Sequence, residues 1–241
     1  AAAYEEGLLP GTLVDDGPLS ETEIPWNGDE YWSPKNSDGL FTGLQPAELG
    51  LFKSRNTMTV RVGEIAGFEN VAKLATRAGM NLPEEHSAQL YIGNLGADLR
   101  TVTSAFSAFP EDGERSRPFI IEAIQDQRGN VIYKNKESRT RIMTKGAAYL
   151  ARKSLEKGVA PGGTGVRARA MGRRGPAGGK TGTTDGYRDA WFVGFSDKLT
   201  GGVWVGLDKP GTIIDRGYGS TLALPIWTEI MNHASSNGYP L

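Results

Sequence analysis

The chain has 241 residues, of which 38% are hydrophobic and 23% are charged, a balance typical of a folded globular protein. Its 27 Lys and Arg residues are matched by 28 Asp and Glu residues, so the net charge of -1 excludes the basic bias of a nucleic-acid-binding protein. Cys is absent and the two His residues, His86 and His233, are far apart, so no disulfide, no metal site and no cofactor is expected.

The first part of the chain is expected to combine helices with irregular segments. Residues 1–7 favour a helix that Pro10 and Gly11 end, and residues 12–43 lack periodicity, which predicts a long irregular segment. Three segments then follow: a short helix over 45–53, a segment over 57–65 rich in β-branched and apolar residues that indicates no single element, and an amphipathic helix over 68–78.

The middle of the chain continues this pattern and adds one hairpin. The predicted elements are a Gly-punctuated loop over 90–96, a helix with a buried face over 102–109, a β-hairpin with strands near 120–124 and 131–133, and a helix over 140–157.

No apolar run in the chain reaches the ~18 residues of a membrane-spanning helix, and no signal peptide is visible, so the chain is expected to be soluble.

The last third is predicted to contain a small sheet. Residues 161–179 are rich in Gly and Arg and are expected to form a solvated loop, since no aromatic residue accompanies the arginines as in nucleic-acid contacts. Three β-branched or apolar runs separated by polar turns predict an antiparallel meander, and a helix that covers one face of it should follow; the runs are 180–184, 190–196 and 202–207, and the helix is 222–234.

The segment Gly178 to Thr184 is the strongest candidate for a binding site, because a lysine, small residues and hydroxyls there would suit an anionic ligand. It does not fit a nucleotide-phosphate loop. That loop needs a Gly where Arg174 stands, and a helix must follow its lysine, whereas a strand follows Lys180 here.

Two motifs point to acyl transfer by a serine nucleophile. Ser54-Arg55-Asn56 and Lys180-Thr181-Gly182 match, in order, two of the three motifs Ser-x-x-Lys, Ser-x-Asn and Lys-Thr-Gly that cooperate in this chemistry. With them, three further blocks make nearly the whole chain resemble the transpeptidase domain of penicillin-binding proteins, in particular the bifunctional class A enzymes; the blocks are Trp32 to Asn36, Tyr187 to Gly194 and Val203 to Gly206.

The resemblance implies an α+β fold, an antiparallel sheet flanked by helices as in serine β-lactamases. The chain would be the C-terminal majority of one such domain. Residues 1–160 would form a mainly helical and loop part with the Ser-x-Asn motif, and residues 161–241 would form the strand meander and the C-terminal helix.

The motif that holds the nucleophile is missing upstream of Ser54, where the family has it. The literal match Ser154-Leu155-Glu156-Lys157 lies between the other two motifs, inside a predicted helix, and is interpreted as a coincidence. We therefore expect the chain to be one piece of a longer or cleaved polypeptide whose N-terminal part carries the serine. A pseudoenzyme that lacks the serine is the alternative.

The resemblance also assigns catalytic roles. The substrate would be the D-Ala-D-Ala end of a peptidoglycan stem peptide, and β-lactams would acylate the same serine. Ser54 would pass a proton to the leaving amine and Asn56 would hold the substrate backbone. Lys180 would supply positive potential and help keep the base lysine neutral. The backbone N–H of Thr183 would be one donor of the oxyanion hole.

Further residues of the same strand would bind the substrate. The hydroxyls of Thr181 and Thr183 would bind its carboxylate, and Gly182 would leave room for it along the strand edge. Thr184 and Asp185 follow directly and are candidate substrate contacts, although a turn would also favour these residue types.

Three alternatives remain open at this stage. The first is a D,D-carboxypeptidase, in which water replaces the acceptor amine. The others are non-catalytic: a β-lactam sensor and a cell-wall-binding module. The resemblance also implies an extracytoplasmic location, with the anchor in a part outside this chain, and no nucleic-acid partner.

Overall fold

The computed structural model describes residues 1–20, 22–23, 32–82 and 87–239. Part of the segment predicted to be irregular, as well as His86, lies outside these residues. The described α-helices are α1 (Ala2–Glu5), α2 (Ala47–Phe52), α3 (Asn56–Ala66), α4 (Phe68–Arg77), α5 (Leu99–Phe106), α6 (Lys145–Gly158), α7 (Arg167–Ala170) and α8 (Ala223–Ser236).

The strands of the described residues form four small antiparallel sheets. The largest is the predicted meander, in the order β7-β8-β9, so β7 lies at its edge within the described part of the chain. The strand ranges are β1 (Leu13–Asp15), β2 (Leu44–Pro46), β3 (Glu114–Ser116), β4 (Ala123–Gln125), β5 (Val131–Lys134), β6 (Arg139–Arg141), β7 (Gly178–Thr183), β8 (Asp189–Phe195) and β9 (Thr200–Gly206). The other pairs are β1-β2, β3-β6 and β4-β5.

Helices cover both faces of the meander. Phe192 and Phe195 of β8 are an odd number of positions apart, so their side chains point to opposite faces. The Phe192 ring meets Trp227 of α8 edge to face, with 4.9 Å between centroids, and Phe195 lies against Phe109, just after α5, at 6.1 Å. The chain is therefore α+β with an antiparallel sheet flanked by helices, as expected.

Several predicted elements need correction. Residues 57–65, which indicated no single element, belong to α3, where Thr57 and Val60 are fully buried one turn apart. The loop predicted over 90–96 begins inside a 3-10 helix, Ala88–Ile92, that the Ser87 side chain caps. The helix predicted from residue 140 begins at Lys145, because β6 occupies residues 139–141.

The arginine-rich loop is less solvated than predicted. It contains the short helix α7, and Arg173 is only 4% exposed. Its guanidinium donates to the carbonyl oxygens of Arg174 and, at 3.1 Å, of Pro176. Arg173 therefore holds the backbone that leads into β7.

Candidate active site

The Ser-x-Asn motif forms the junction between two helices. Ser54 and Arg55 lie between α2 and α3, and Asn56 is the first residue of α3. Ser54 has φ 59°, a left-handed conformation that residues with a Cβ rarely adopt. A residue in such a conformation persists where its surroundings hold it there.

Lys180 joins this junction to the sheet. It lies on the edge strand β7, and its Nζ donates to Ser54 Oγ at 2.7 Å and to the Thr181 carbonyl oxygen at 2.9 Å. Burial lowers the pKa of Lys180 to about 8, because the surrounding protein replaces water around the ammonium group. Among the described residues, no carboxylate lies within ion-pair distance of Lys180, so its charge is free for an anionic ligand.

Two threonine hydroxyls follow Lys180 along the strand. Thr181 Oγ1 is 2.9 Å from Thr164 Oγ1, and Thr183 Oγ1 accepts from the Gly219 N–H at 3.0 Å. Because Thr183 accepts there, its own proton is available to donate. Neither Thr164 nor Gly219 stood out in the sequence, since both reach β7 from segments without a motif.

Asn56 is held at the entrance of α3. Its Nδ2 donates to the Lys35 carbonyl oxygen at 2.8 Å, and among the described residues no other hydrogen bond engages the amide oxygen or the second N–H. Lys35 belongs to the block Trp32 to Asn36 of the family resemblance. The structure thus brings this block against the Ser-x-Asn motif.

Thr184 and Asp185 belong to the turn after β7. The Thr184 hydroxyl donates to Asp189 Oδ2 at 3.0 Å and accepts from the Asp189 N–H at 2.9 Å. Trp204 Nε1 donates to the other carboxylate oxygen of Asp189 at 2.8 Å. Asp185 is exposed at the start of a short 3-10 turn. Both residues shape this turn, and a role in substrate binding stays a prediction.

Gly182 on the edge strand β7 is closely packed against its neighbours. A Cβ at Gly182 would lie 3.1 Å from Trp191 Cβ on the paired strand. Gly219 sits against the same place, because a Cβ there would lie 2.5 Å from the Gly182 carbonyl oxygen and 2.2 Å from that of Trp191. The close approach of these backbones gives a reason for both glycines that does not depend on a ligand.

The second Ser-x-x-Lys match lies apart from these residues. Ser154 is fully buried, where its hydroxyl donates to the Leu150 carbonyl oxygen at 3.0 Å and bonds the Tyr4 hydroxyl at 2.9 Å. Lys157 pairs with Glu48 at 2.5 Å. Ser154 is thus bonded inside the helical part, whereas Lys157 is half-exposed and paired with a carboxylate; that this match is a coincidence stays an interpretation.

Neither a metal site nor a membrane span is found in the described ranges. No group of three or more His, Asp or Glu side chains in them is placed to hold a metal ion. None of the helices there is both long and apolar enough to cross a bilayer.

Arg55 and Asp16 are further residues of this region that the sequence did not single out. Arg55 was only the variable position of the Ser-x-Asn motif, yet its guanidinium pairs with Asp16 at 2.7 Å, and Asp16 is 0% exposed. The two residues are 39 positions apart. Asp16 lies at the start of a segment without periodicity, so no local pattern could have paired them.

Comparisons with known proteins show the family of this chain. The family model of the penicillin binding protein transpeptidase domain matches residues 1–232. The chain is 32% identical over 262 residues to Penicillin-binding protein 1A of Rickettsia bellii (strain RML369-C), an alignment that covers 100% of this chain and 33% of the relative. The chain thus spans about a third of the length of the curated relatives it matches.

Solved structures show the same fold. Penicillin-Binding Protein 1A from Haemophilus influenzae superposes with a TM-score of 0.90 at 26% identity, covering 98% of this chain and 41% of that one. The ceftriaxone acyl-enzyme complex of penicillin-binding protein A from Mycobacterium tuberculosis gives a TM-score of 0.78 at 17% identity, covering 96% and 57%. The chain belongs to the penicillin-binding protein transpeptidase family.

Proposed function

We propose that this chain provides the substrate-binding strand and the proton-transfer serine of a peptidoglycan D,D-transpeptidase that works through a serine acyl-enzyme. The observation that carries the proposal is the hydrogen bond from Lys180 to Ser54, with the Thr181 and Thr183 hydroxyls further along the same strand. The nucleophilic serine and its base lysine lie in the part of the protein that precedes this chain.

In the first half-reaction, the nucleophilic serine attacks the carbonyl carbon of the penultimate D-Ala. Its proton passes to the base lysine, an ester bond forms and the amide C–N bond breaks. Ser54 gives its proton to the leaving amine and receives in return the proton that the base lysine took from the nucleophile, so Lys180 keeps its charge. Ser54 suits this step because its oxygen is already hydrogen-bonded to an ammonium group, which keeps the hydroxyl aligned.

The strand β7 binds the terminal carboxylate of the donor peptide. Lys180 is still mostly protonated at neutral pH, since its pKa is about 8, and therefore attracts the carboxylate. Thr183 donates its hydroxyl proton to that carboxylate, and its backbone N–H stabilises the oxyanion. Loss of one such oxyanion donor typically costs about 10²–10³ in rate.

In the second half-reaction, an amine of a neighbouring stem peptide attacks the ester carbon. The new amide bond forms, the ester C–O bond breaks, and a proton from the amine passes to the released serine. A β-lactam enters the same site as a substrate mimic, as the acyl-enzyme complex of the Mycobacterium tuberculosis protein with the same fold illustrates. The enzyme works on the outer side of the cytoplasmic membrane, held by an anchor in the remaining length of the protein. Thr184 and Asp185, in the turn that follows β7, are further contacts for the substrate.

Labelling with a fluorescent penicillin tests the proposal. The full-length protein should be labelled, and incubation with a stem peptide and an amine acceptor should give a cross-linked product. Release of D-Ala without a cross-link would identify a carboxypeptidase instead. Binding of penicillin without a covalent bond would indicate a sensor or a wall-binding module.

A further inference from the structure

A completely buried carboxylate lies behind the Ser-x-Asn motif. Asp16, which follows β1, is 0% exposed and accepts hydrogen bonds on both oxygens. Its donors include Arg55 Nη2 at 2.7 Å, Thr42 Oγ1 at 2.8 Å, Thr57 Oγ1 at 2.9 Å and Asn36 Nδ2 at 2.9 Å. These bonds hold the pKa of Asp16 at about 2 despite its burial, so the carboxylate is charged.

The guanidinium of Arg55 is almost as buried, and each of its three nitrogens donates at least one hydrogen bond. Arg55 is 6% exposed. Besides Asp16, it binds Asp38 Oδ2 at 2.6 Å and the Leu40 carbonyl oxygen. One side chain therefore fastens the loop 36–42 to the end of β1. Because well-packed apolar residues often stabilise a fold as much as a buried ion pair does, this arrangement is weak evidence for a purely stabilising role.

The position of Arg55 in the chain links this ion pair to the site. Its two neighbours in sequence are Ser54 and Asn56, whose side chains face Lys180 and the Lys35 carbonyl oxygen. Ser54 is in the left-handed conformation that side chains rarely adopt. A residue in such a conformation persists only where its surroundings hold it there.

We propose that Arg55 and Asp16 are positioning residues, whose buried ion pair holds Ser54 in its left-handed conformation within hydrogen-bond distance of Lys180. Through Asn36 and the loop 36–42, the same pair fixes the carbonyl oxygen that receives Asn56. The consequence for catalysis rests on the proposed transpeptidase function, whereas the geometric consequence for Ser54 does not depend on it.

Arg61 supplies a matched control. It also ties α3 to the segment around Asp15, since its Nη1 donates to the Asp15 and Gly17 carbonyl oxygens at 2.8 Å each and its Nε pairs with Glu23 at 2.7 Å. Its side chain is 13% exposed, and no residue of the site adjoins it in sequence. Arg61 is thus equally well bonded without touching the Ser-x-Asn junction.

Crystal structures of Arg55→Lys and Arg61→Lys test the geometric claim. Lysine keeps the charge but cannot reproduce the planar fork. In Arg55→Lys, Ser54 should leave the left-handed region and its Oγ should move beyond hydrogen-bond distance of Lys180 Nζ, while Arg61→Lys keeps both. An unchanged Ser54 conformation in Arg55→Lys would overturn the proposal.

Kinetics with penicillin test the functional claim in the full-length protein. The first-order acylation rate constant should fall by about 10²-fold in Arg55→Lys, the cost of a displacement of about 1 Å at a reacting group. The dissociation constant of the non-covalent complex should change little. Arg61→Lys should keep the wild-type rate constant even where its melting temperature falls. Equal rate constants in the two variants would show that the ion pair is merely structural.

Asp38→Asn provides the same test if Arg55→Lys does not fold. Asp38 is 47% exposed in its side chain, so this change removes one charge from Arg55 without leaving a buried ion. Its rate constant should fall in the same direction and by less. If the wild-type protein itself is not acylated, the proposed function fails, and the crystal structures still decide the positioning of Ser54.

Discussion

Lys180 donates a hydrogen bond to Ser54 over 2.7 Å, although 126 positions of sequence separate the two residues. The contact joins the edge strand of the meander to the junction between two helices. Replacement of Lys180 by Ala should abolish penicillin labelling of the full-length protein, because the site loses both its cation for the carboxylate and the partner of Ser54.

Lys157 provides the control for this loss. It belongs to the second Ser-x-x-Lys match, and its charge pairs with Glu48 on α2. Lys157→Ala should therefore keep wild-type labelling on a gel. Labelling of Lys180→Ala at the wild-type rate would rule out the proposed role of Lys180.

The conformation of Ser54 gives a prediction about stability. Ser54→Gly should be more stable than Ser54→Ala by about 1 kcal/mol, because glycine adopts φ 59° without the strain that a Cβ causes. Both variants lose the same hydroxyl, so the difference isolates the backbone. Urea unfolding of the two variants measures it.

Ser107 serves as the comparison position, since its φ is -60°. There the order should reverse, with Ser107→Ala more stable than Ser107→Gly, as glycine gains freedom in the unfolded chain. An alanine variant that is the more stable one at both positions would contradict the left-handed conformation of Ser54.

The sequence predicted the strands of the meander better than the helix α3. Residue types at strand spacing predicted β7, β8 and β9 to within about two residues, because alternation and polar turns are local signals. The helix α3 was missed as an element, since its β-branched residues favour strands and only the burial of Thr57 and Val60 reveals the helical face.

The motifs predicted Ser54, Asn56 and Lys180 as parts of one site, and Lys180 does contact Ser54, but the motifs did not predict what holds these residues. The ion pair of Arg55 with Asp16 and the contact of Gly219 with Gly182 depend on segments that meet only after folding. Non-local contacts of this kind leave no periodicity in the sequence.

The pKa of Lys180 predicts a dependence on pH. Lys180 loses its proton near pH 8 when folded, compared with an ordinary value of 10.5, so the affinity for penicillin should fall above pH 8. In Lys180→Arg the affinity should be weaker but independent of pH up to 10, because the guanidinium does not titrate in this range. A wild-type affinity that stays constant from pH 7 to 10 would contradict the lowered pKa.

The same shift has a consequence for stability. Between pH 8 and 10.5 the unfolded chain binds a proton at Lys180 that the folded chain does not, so the contribution of Lys180 to the free energy of unfolding rises with pH. The free energy of unfolding of the wild type, relative to that of Lys180→Met, should therefore increase from pH 7 to 10. Denaturant titrations at the two pH values measure this, and a decrease would show that the sign is wrong.

The packing of Gly219 predicts a strong effect of one methyl group. Gly219→Ala would bring a Cβ to 2.2 Å from the Trp191 carbonyl oxygen, so the loop must move away from β7 and lose its bond to Thr183. We expect a loss of about 1–3 kcal/mol in the free energy of unfolding together with slower acylation. Gly211→Ala, whose Cβ would meet nothing closer than 3.8 Å, should change neither.

The central claim is that Ser54 and Lys180 belong to an acylated site whose nucleophile lies outside these 241 residues. Peptide mapping by mass spectrometry of the penicillin-labelled full-length protein tests it most directly. We predict that the label sits on a serine that precedes this chain. A label on Ser54, Ser154 or any other residue of the chain would contradict the account.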